Sequence, residues 1–263
     1  MDLENRENAI GIFDSGVGGI SVLSEIRHLM PSEHLVFYGD NANAPYGTKA
    51  PEVVKERCLE IVRWMLAYPV KAIVIACNTA SSVAAQTIRD KVSIPVIAME
   101  PALKPAHELR HGGKILVLAT PVTLALPKFQ NLYALYGEGA EAIPCPGLMD
   151  LVEQEDMKGA EEYLRTVFSQ YPPDDLDAVV LGCTHYVFLR TIATSLLPEH
   201  TAVIDGNLGT ARQLRRVLNE QNLLRAEDGK GSLQLFTSGD EHIMIPRMER
   251  LLRLMNSIDG HIE

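Results

Sequence analysis

The stretch Val70-Lys-Ala-Ile-Val-Ile-Ala-Cys-Asn-Thr79 can be laid over Leu176-Asp-Ala-Val-Val-Leu-Gly-Cys-Thr-His185, with the two cysteines 106 positions apart. Each half of the match is an apolar, β-branched run of the kind buried on both faces of a parallel sheet. Chance accounts for the apolar part, because all such strands look alike. It accounts less well for both runs ending at a Cys followed by polar residues. The same offset sets Phe13-Asp14-Ser15 over Ala119-Thr120-Pro121, so that Asp14 to Cys77 and Thr120 to Cys183 both span 63 residues. The repeat predicts two α/β halves related by a pseudo-twofold axis, with one cysteine from each half facing a shared cleft.

Outward from these strands, short apolar runs alternate with helical spacing. Ile10-Gly-Ile-Phe13 reads as a strand, followed by a Gly-rich turn and by Ile20, Leu23, Ile26 and Met30 on one helical face. His34 to Tyr38 reads as the next strand. Val54, Cys58, Ile61, Met65 and Leu66 then mark a helix within Pro51 to Tyr68. Strand–helix–strand order of this kind predicts doubly wound α/β sheets, which bind ligands at the carboxyl ends of their strands. The crossovers between halves fall near Pro95 to Pro101 and Ala202 to Gly209. Ser232 to Thr237 reads as a further strand and Ile243 to Met255 as a closing helix, both assigned to the first half. The expected domains are therefore residues 1–98 with 209–263, and residues 99–208.

Bulk properties narrow the function classes. A net charge of −10 argues against a nucleic-acid partner, which demands clustered Lys and Arg, and lends nothing to membrane-surface binding. No run reaches the ~18 apolar residues of a membrane span. Met1 to Asn8 is polar and charged, without the apolar core of a signal peptide, so a cytoplasmic location is expected. The four cysteines, Cys58, Cys77, Cys145 and Cys183, form no CxxC pair, which disfavours structural zinc and a disulfide framework.

Cys77 and Cys183 each end a strand just ahead of a predicted helix, where the positive end of the helix dipole stabilises a thiolate. A single such cysteine is more often a small buried hydrophobe; two at matched positions of a repeat point to chemistry. Cys58 on a helix face and Cys145 between two prolines read as core. Two facing thiols suit the inversion of a carbon centre: one base removes an α-proton and an acid returns another from the opposite side. Such groups supply typically ~10²–10⁴-fold, and fixed dipoles must stabilise the developing enediolate for the rest. Asp14-Ser-Gly-Val-Gly-Gly19 could cradle an anion at a helix N-terminus or could simply allow close packing. Its glycine spacing is neither that of a Walker loop nor that of a dinucleotide fingerprint. Asn41-Ala-Asn-Ala-Pro-Tyr-Gly47 is a polar loop after a strand, a frequent place for function.

Four segments in order, Ile12-Phe-Asp-Ser-Gly-Val-Gly-Gly19, Pro45-Tyr-Gly47, Ala76-Cys-Asn-Thr-Ala80 and Leu181-Gly-Cys-Thr-His-Tyr186, resemble the signature motifs of bacterial glutamate racemase, in the aspartate/glutamate racemase superfamily. The resemblance runs from Ile10 to about Leu254. It implies interconversion of L- and D-glutamate without pyridoxal phosphate, any other cofactor or a metal, supplying D-glutamate for peptidoglycan. It implies Cys77 and Cys183 as the proton donor/acceptor pair. Asn78, Thr79 and Thr184 would hold the α-carboxylate, and Ser15, Tyr46 and Gly47 the side-chain carboxylate. Asp14 and His185 would assist the cysteines or the ammonium group, and Glu153 matches a further acidic site residue. By the repeat offset Glu153 falls opposite Gly47, which would put it at a strand end facing the cleft. A homodimer is also implied. Val187-Phe188, where the family commonly has Pro-Leu, and Asp205-Gly206, in place of Asp-Ser, depart from the pattern; both changes should alter a helix entry or a loop.

Two other functions fit parts of the pattern. Aspartate racemase would use the same two-cysteine chemistry on a shorter substrate. A non-catalytic two-lobed amino-acid binding protein would have the cleft but no use for a thiol on each side of it. A one-cysteine decarboxylase or isomerase of related fold is disfavoured by the second cysteine.

Overall fold

The computed structural model describes residues 3–227 and 229–258; Met1 and Asp2 of the polar N-terminal stretch lie outside them. The chain divides into two compact units, residues 1–99 with 207–263, and residues 100–206. Each is built on its own parallel sheet.

In the first unit the strands are β1 (Ala9–Asp14), β2 (Leu35–Gly39), β3 (Val70–Ile75) and β4 (Val96–Ala98). The second unit supplies β5 (Lys114–Ala119), β6 (Ala140–Pro144), β7 (Leu176–Leu181) and β8 (Ala202–Asp205), and β9 (Leu233–Thr237) returns to the first unit. The sheet orders are β4-β3-β1-β2-β9 and β6-β5-β7-β8, with every pairing parallel. Without β9 the two orders are the same, strand for strand. Even the irregularities correspond: the register shifts between Ala9 and Ile10 where β1 meets β3, and between Lys114 and Ile115 where β5 meets β7.

The correspondence also corrects the register read from the sequence. Phe13 O accepts from Ala76 N, and its counterpart Leu118 O accepts from Gly182 N. The first strands are therefore related by 105 positions, one fewer than the cysteine strands. Asp14 answers to Ala119 and Ser15 to Thr120, rather than Asp14 to Thr120. The second half carries one extra residue between its first strand and its cysteine, which a fixed offset could not show.

Central strands are buried along nearly their whole length and edge strands much less, which is why the former read as near-continuous apolar runs. Helix α1 (Ile20–Leu29) buries Ile20, Val22, Leu23 and Ile26. Helix α2 (Pro51–Met65) starts with proline at its first position, where the missing N–H has no partner to lose. It buries Val54, Cys58, Ile61, Val62 and Met65, spaced for one face. Leu66, expected on that face, lies past the helix end and is 46% exposed. Helix α3 (Asn78–Arg89) follows β3. Glu241–Ile258 forms the closing helix, three residues longer at its C-terminus than the spacing predicts, and packs on α1.

Chain order reverses on either side of β1 and of β5. Each reversal opens a crevice at the strand ends, bordered by Ser15 and Cys77 in one unit and by Thr120 and Cys183 in the other.

Candidate active site

The candidate site of the first unit is set by the ends of β1 and β3. Cys77 has extended backbone (φ −134°, ψ 123°) and is itself the N-cap of α3, its Sγ accepting from Ala80 N at 3.5 Å. Asn78 and Thr79 are its first helical positions. A sulfur receiving a helix N-terminal N–H sits where the dipole favours negative charge. As a thiol, Cys77 donates to Ser15 Oγ at 3.6 Å. Asp14 is wholly buried and its Oδ1 accepts from Gly16 N at 2.8 Å. Gly19 serves packing: a Cβ there would lie 2.5 Å from Asp14 Cβ.

Asn78 is 4% exposed, and neither its Oδ1 nor its Nδ2 has a hydrogen-bond partner among the described residues. Leaving such a group unsatisfied costs about 1–3 kcal/mol. A cost of that kind persists where a ligand takes up the free valences. Thr79, next along, is 3% exposed.

Tyr46 and Gly47 lie in the short 3-10 turn Tyr46–Thr48, both buried. The Tyr46 hydroxyl donates to Asp40 Oδ2 at 2.5 Å. Asp40 was not singled out in the sequence. Its signal was positional, a carboxylate directly after β2, as Asp14 is the last residue of β1. Arg57 from α2 grips the same carboxylate, and the guanidinium holds the Asp40 carboxyl below its ordinary range although burial pushes the other way.

In the second unit, Cys183 is 7% exposed and precedes the 3-10 helix Thr184–Leu189. The sequence reading placed an α-helix here. All six residues, Val187 and Phe188 included, are buried, so the segment has no solvent face of the kind an amphipathic helix presents. The regular helix starts only at Arg190, so a helix dipole acts less directly on this sulfur. A buried imidazole adjoins it instead. His185 Nδ1 lies 3.9 Å from Cys183 Sγ, and its Nε2 is 2.7 Å from Glu153 Oε1. Burial opposes the imidazolium, but contacts with Cys183 and Glu153 outweigh it and raise the His185 pKa well above the ordinary value. Thr184 is 2% exposed beside them. Glu153 closes the helix Leu148–Glu153, so it sits at a helix end rather than the strand end that the repeat offset suggested.

Cys58 and Cys145 are buried core thiols. Burial pushes Cys58 well above the usual thiol range and Cys145 up to about 12, which keeps both protonated and unreactive. Among the described residues no group of three or more His, Cys, Asp or Glu is placed to hold a metal ion, and no helix is long and apolar enough to cross a membrane.

The first unit thus presents a thiol at a helix N-terminus beside a serine, and the second a thiol joined to a His–Glu pair. Residues 19–214 match the family described as Asp/Glu/Hydantoin racemase. The chain belongs to this family. It is 44% identical over 253 residues to a glutamate racemase of Clostridium botulinum (strain Loch Maree / Type A3), covering 95% of this chain and 98% of that one. The crystal structure of a glutamate racemase isoform from Bacillus anthracis superposes with a TM-score of 0.85 at 31% identity, over 94% of this chain and 95% of the other. That of the Escherichia coli glutamate racemase, in complex with L-glutamate and an activator, does so with a TM-score of 0.80 at 32% identity, over 92% and 95% of the two chains.

Proposed function

We propose that this chain is a glutamate racemase, interconverting L- and D-glutamate by two-base proton transfer between Cys77 and Cys183. The α-proton of an amino acid is weakly acidic, and its removal leaves negative charge that spreads into the α-carboxylate. One sulfur, as thiolate, takes the proton from one face while the other, as thiol, delivers one to the opposite face. In the reverse direction the roles exchange. Asn78, Thr79 and Thr184 hold the α-carboxylate through donors that strengthen as it becomes enediolate-like. Ser15 and the main chain at Tyr46 and Gly47 take the side-chain carboxylate. Asp14 and His185 assist the cysteines or the ammonium group, with Glu153 holding the His185 ring.

The observation that carries this proposal is the buried Asn78 amide with both polar atoms unpartnered, one residue from a thiol at the N-terminus of α3. The 44% identity to a glutamate racemase supports the substrate. The two domains, residues 1–98 with 209–263 and 99–208, would each contribute a half-site, and the enzyme would work in the cytoplasm, as a homodimer, supplying D-glutamate for peptidoglycan.

Racemisation followed by polarimetry with pure L- and pure D-glutamate tests the proposal, with aspartate run alongside. Glutamate should turn over in preference to aspartate, and Cys77→Ala and Cys183→Ala should each abolish racemisation. Near-normal racemisation by either alanine variant would refute the two-base assignment.

A further inference from the structure

We infer that Arg57 is a positioning residue for the substrate loop, holding residues 41–47 in place through Asp40; this rests on the function proposed above. Asp40 follows β2 directly, and its carboxylate receives donors on both oxygens. Oδ1 accepts from Asn43 Nδ2 at 3.0 Å and from Arg57 Nη2 at 2.9 Å. Oδ2 accepts from the Tyr46 hydroxyl at 2.5 Å and from Arg57 Nε at 3.2 Å. The Asp40 N–H donates to Asp14 O at 3.0 Å, and the Asp40 carbonyl accepts from Asn43 N at 2.9 Å. One buried residue therefore ties the end of β1, the first turn of the loop and the ring of Tyr46 together.

Arg57 stands outside the loop, on α2, and brings the positive charge to this cluster. Its planar fork matches the carboxylate through two nitrogens, while its third nitrogen engages Glu60 one turn along the helix. An ionised carboxylate as buried as Asp40 is costly without a cation. The Tyr46 hydroxyl has a single proton to donate and gives it to Asp40. What Tyr46 and Gly47 offer a substrate is their main chain, and the position of that main chain depends on where the ring is anchored. Arg57 thus governs binding of the distal carboxylate without touching it.

Steady-state racemisation of glutamate in both directions, by the wild type, Arg57→Lys, Arg57→Ala, Asp40→Asn and the Arg57→Ala/Asp40→Asn double variant, tests the inference. Arg57→Ala should raise KM for glutamate about tenfold, the order expected when a binding group is misplaced by less than an ångström. Its kcat should move less than about threefold, because binding is lost equally from ground and transition states. Arg57→Lys should recover part of the KM, returning the charge but not the fork. The double variant should be no worse than Arg57→Ala alone, since both changes break one contact. Should Arg57→Ala not fold, Arg57→Lys and Asp40→Asn carry the same KM criterion. A wild-type KM in the variants, a kcat loss with KM unchanged, or additive effects in the double variant would overturn the positioning role. Absence of glutamate racemisation in the wild type would instead strike at the proposed function itself.

Discussion

Replacing Glu153 with Gln keeps the shape of the Glu153–His185 contact and removes its charge. The contact is 2.7 Å long between a wholly buried imidazole and a carboxylate 19% exposed. Hydrogen bonds to charged groups are worth about 1.5–3 kcal/mol. Partial solvent access at Glu153 argues for the lower end, about 1.5–2 kcal/mol, or roughly ten- to thirtyfold in rate at 1.36 kcal/mol per decade. The effect should fall on kcat/KM, measured by polarimetry from each enantiomer. Because the equilibrium constant of a racemisation is unity, kcat/KM must fall equally in both directions, which checks the data internally. The pH profile adds a sign. His185 is held protonated above its ordinary pKa, so activity that depends on the imidazolium is present at low pH and lost as pH rises through the folded-state value. Without the carboxylate, burial dominates and that loss should move to lower pH. A Glu153→Gln enzyme with kcat/KM within about twofold of wild type, and an unshifted alkaline limb, would refute the role given to this pair.

Asn78→Leu should separate stability from function. It removes a buried amide that lacks protein partners, so the free enzyme should keep its stability or gain about 1 kcal/mol, read by denaturant unfolding. The same change should cost roughly 10–100-fold in kcat/KM, the worth of a hydrogen bond to a charged carboxylate; unchanged kcat/KM would remove Asn78 from the site. Far from the chemistry, Lys71 and Glu33 form an ion pair at 2.5 Å with both side chains almost fully buried. Lys71→Ala should destabilise the first unit by about 3–5 kcal/mol by stranding the carboxylate, and replacing both residues by apolar ones should recover most of that. Equal losses in the single and double variants would contradict this account of the pair.

The sequence made the sheets legible because central strands of a parallel sheet are buried on both faces, and Val70–Ile75 and Leu176–Leu181 advertise this in apolar runs broken only by Lys71 and Asp177. Edge strand β6, with its mixed burial, gave no such signal and went unread. The cysteines were legible because each ends one of those runs. What surrounds them was not. Cys77 caps its own helix, while Cys183 opens a 3-10 segment and depends on His185 and Glu153. Two matched sequence positions thus stand in different local structures. Asp40 and Arg57 escaped notice because a strand-end carboxylate and a helical arginine look like surface charges until the fold brings them within hydrogen-bonding reach. The repeat offset drifted by one residue in its first strands, and it misplaced Glu153, which a helix rather than a strand delivers.

Proton inventory at the α-carbon tests two-sided transfer most directly. Pure L-glutamate and pure D-glutamate are each incubated in D₂O with enzyme, and the label is read by NMR at low conversion. A pair of thiols that exchange with solvent, working from opposite faces, should deliver product enantiomer carrying deuterium while unreacted starting enantiomer still carries hydrogen. Product that retains its original hydrogen would mean a single base returning the same proton, and no exchange in either pool would mean that the protein does not turn glutamate over.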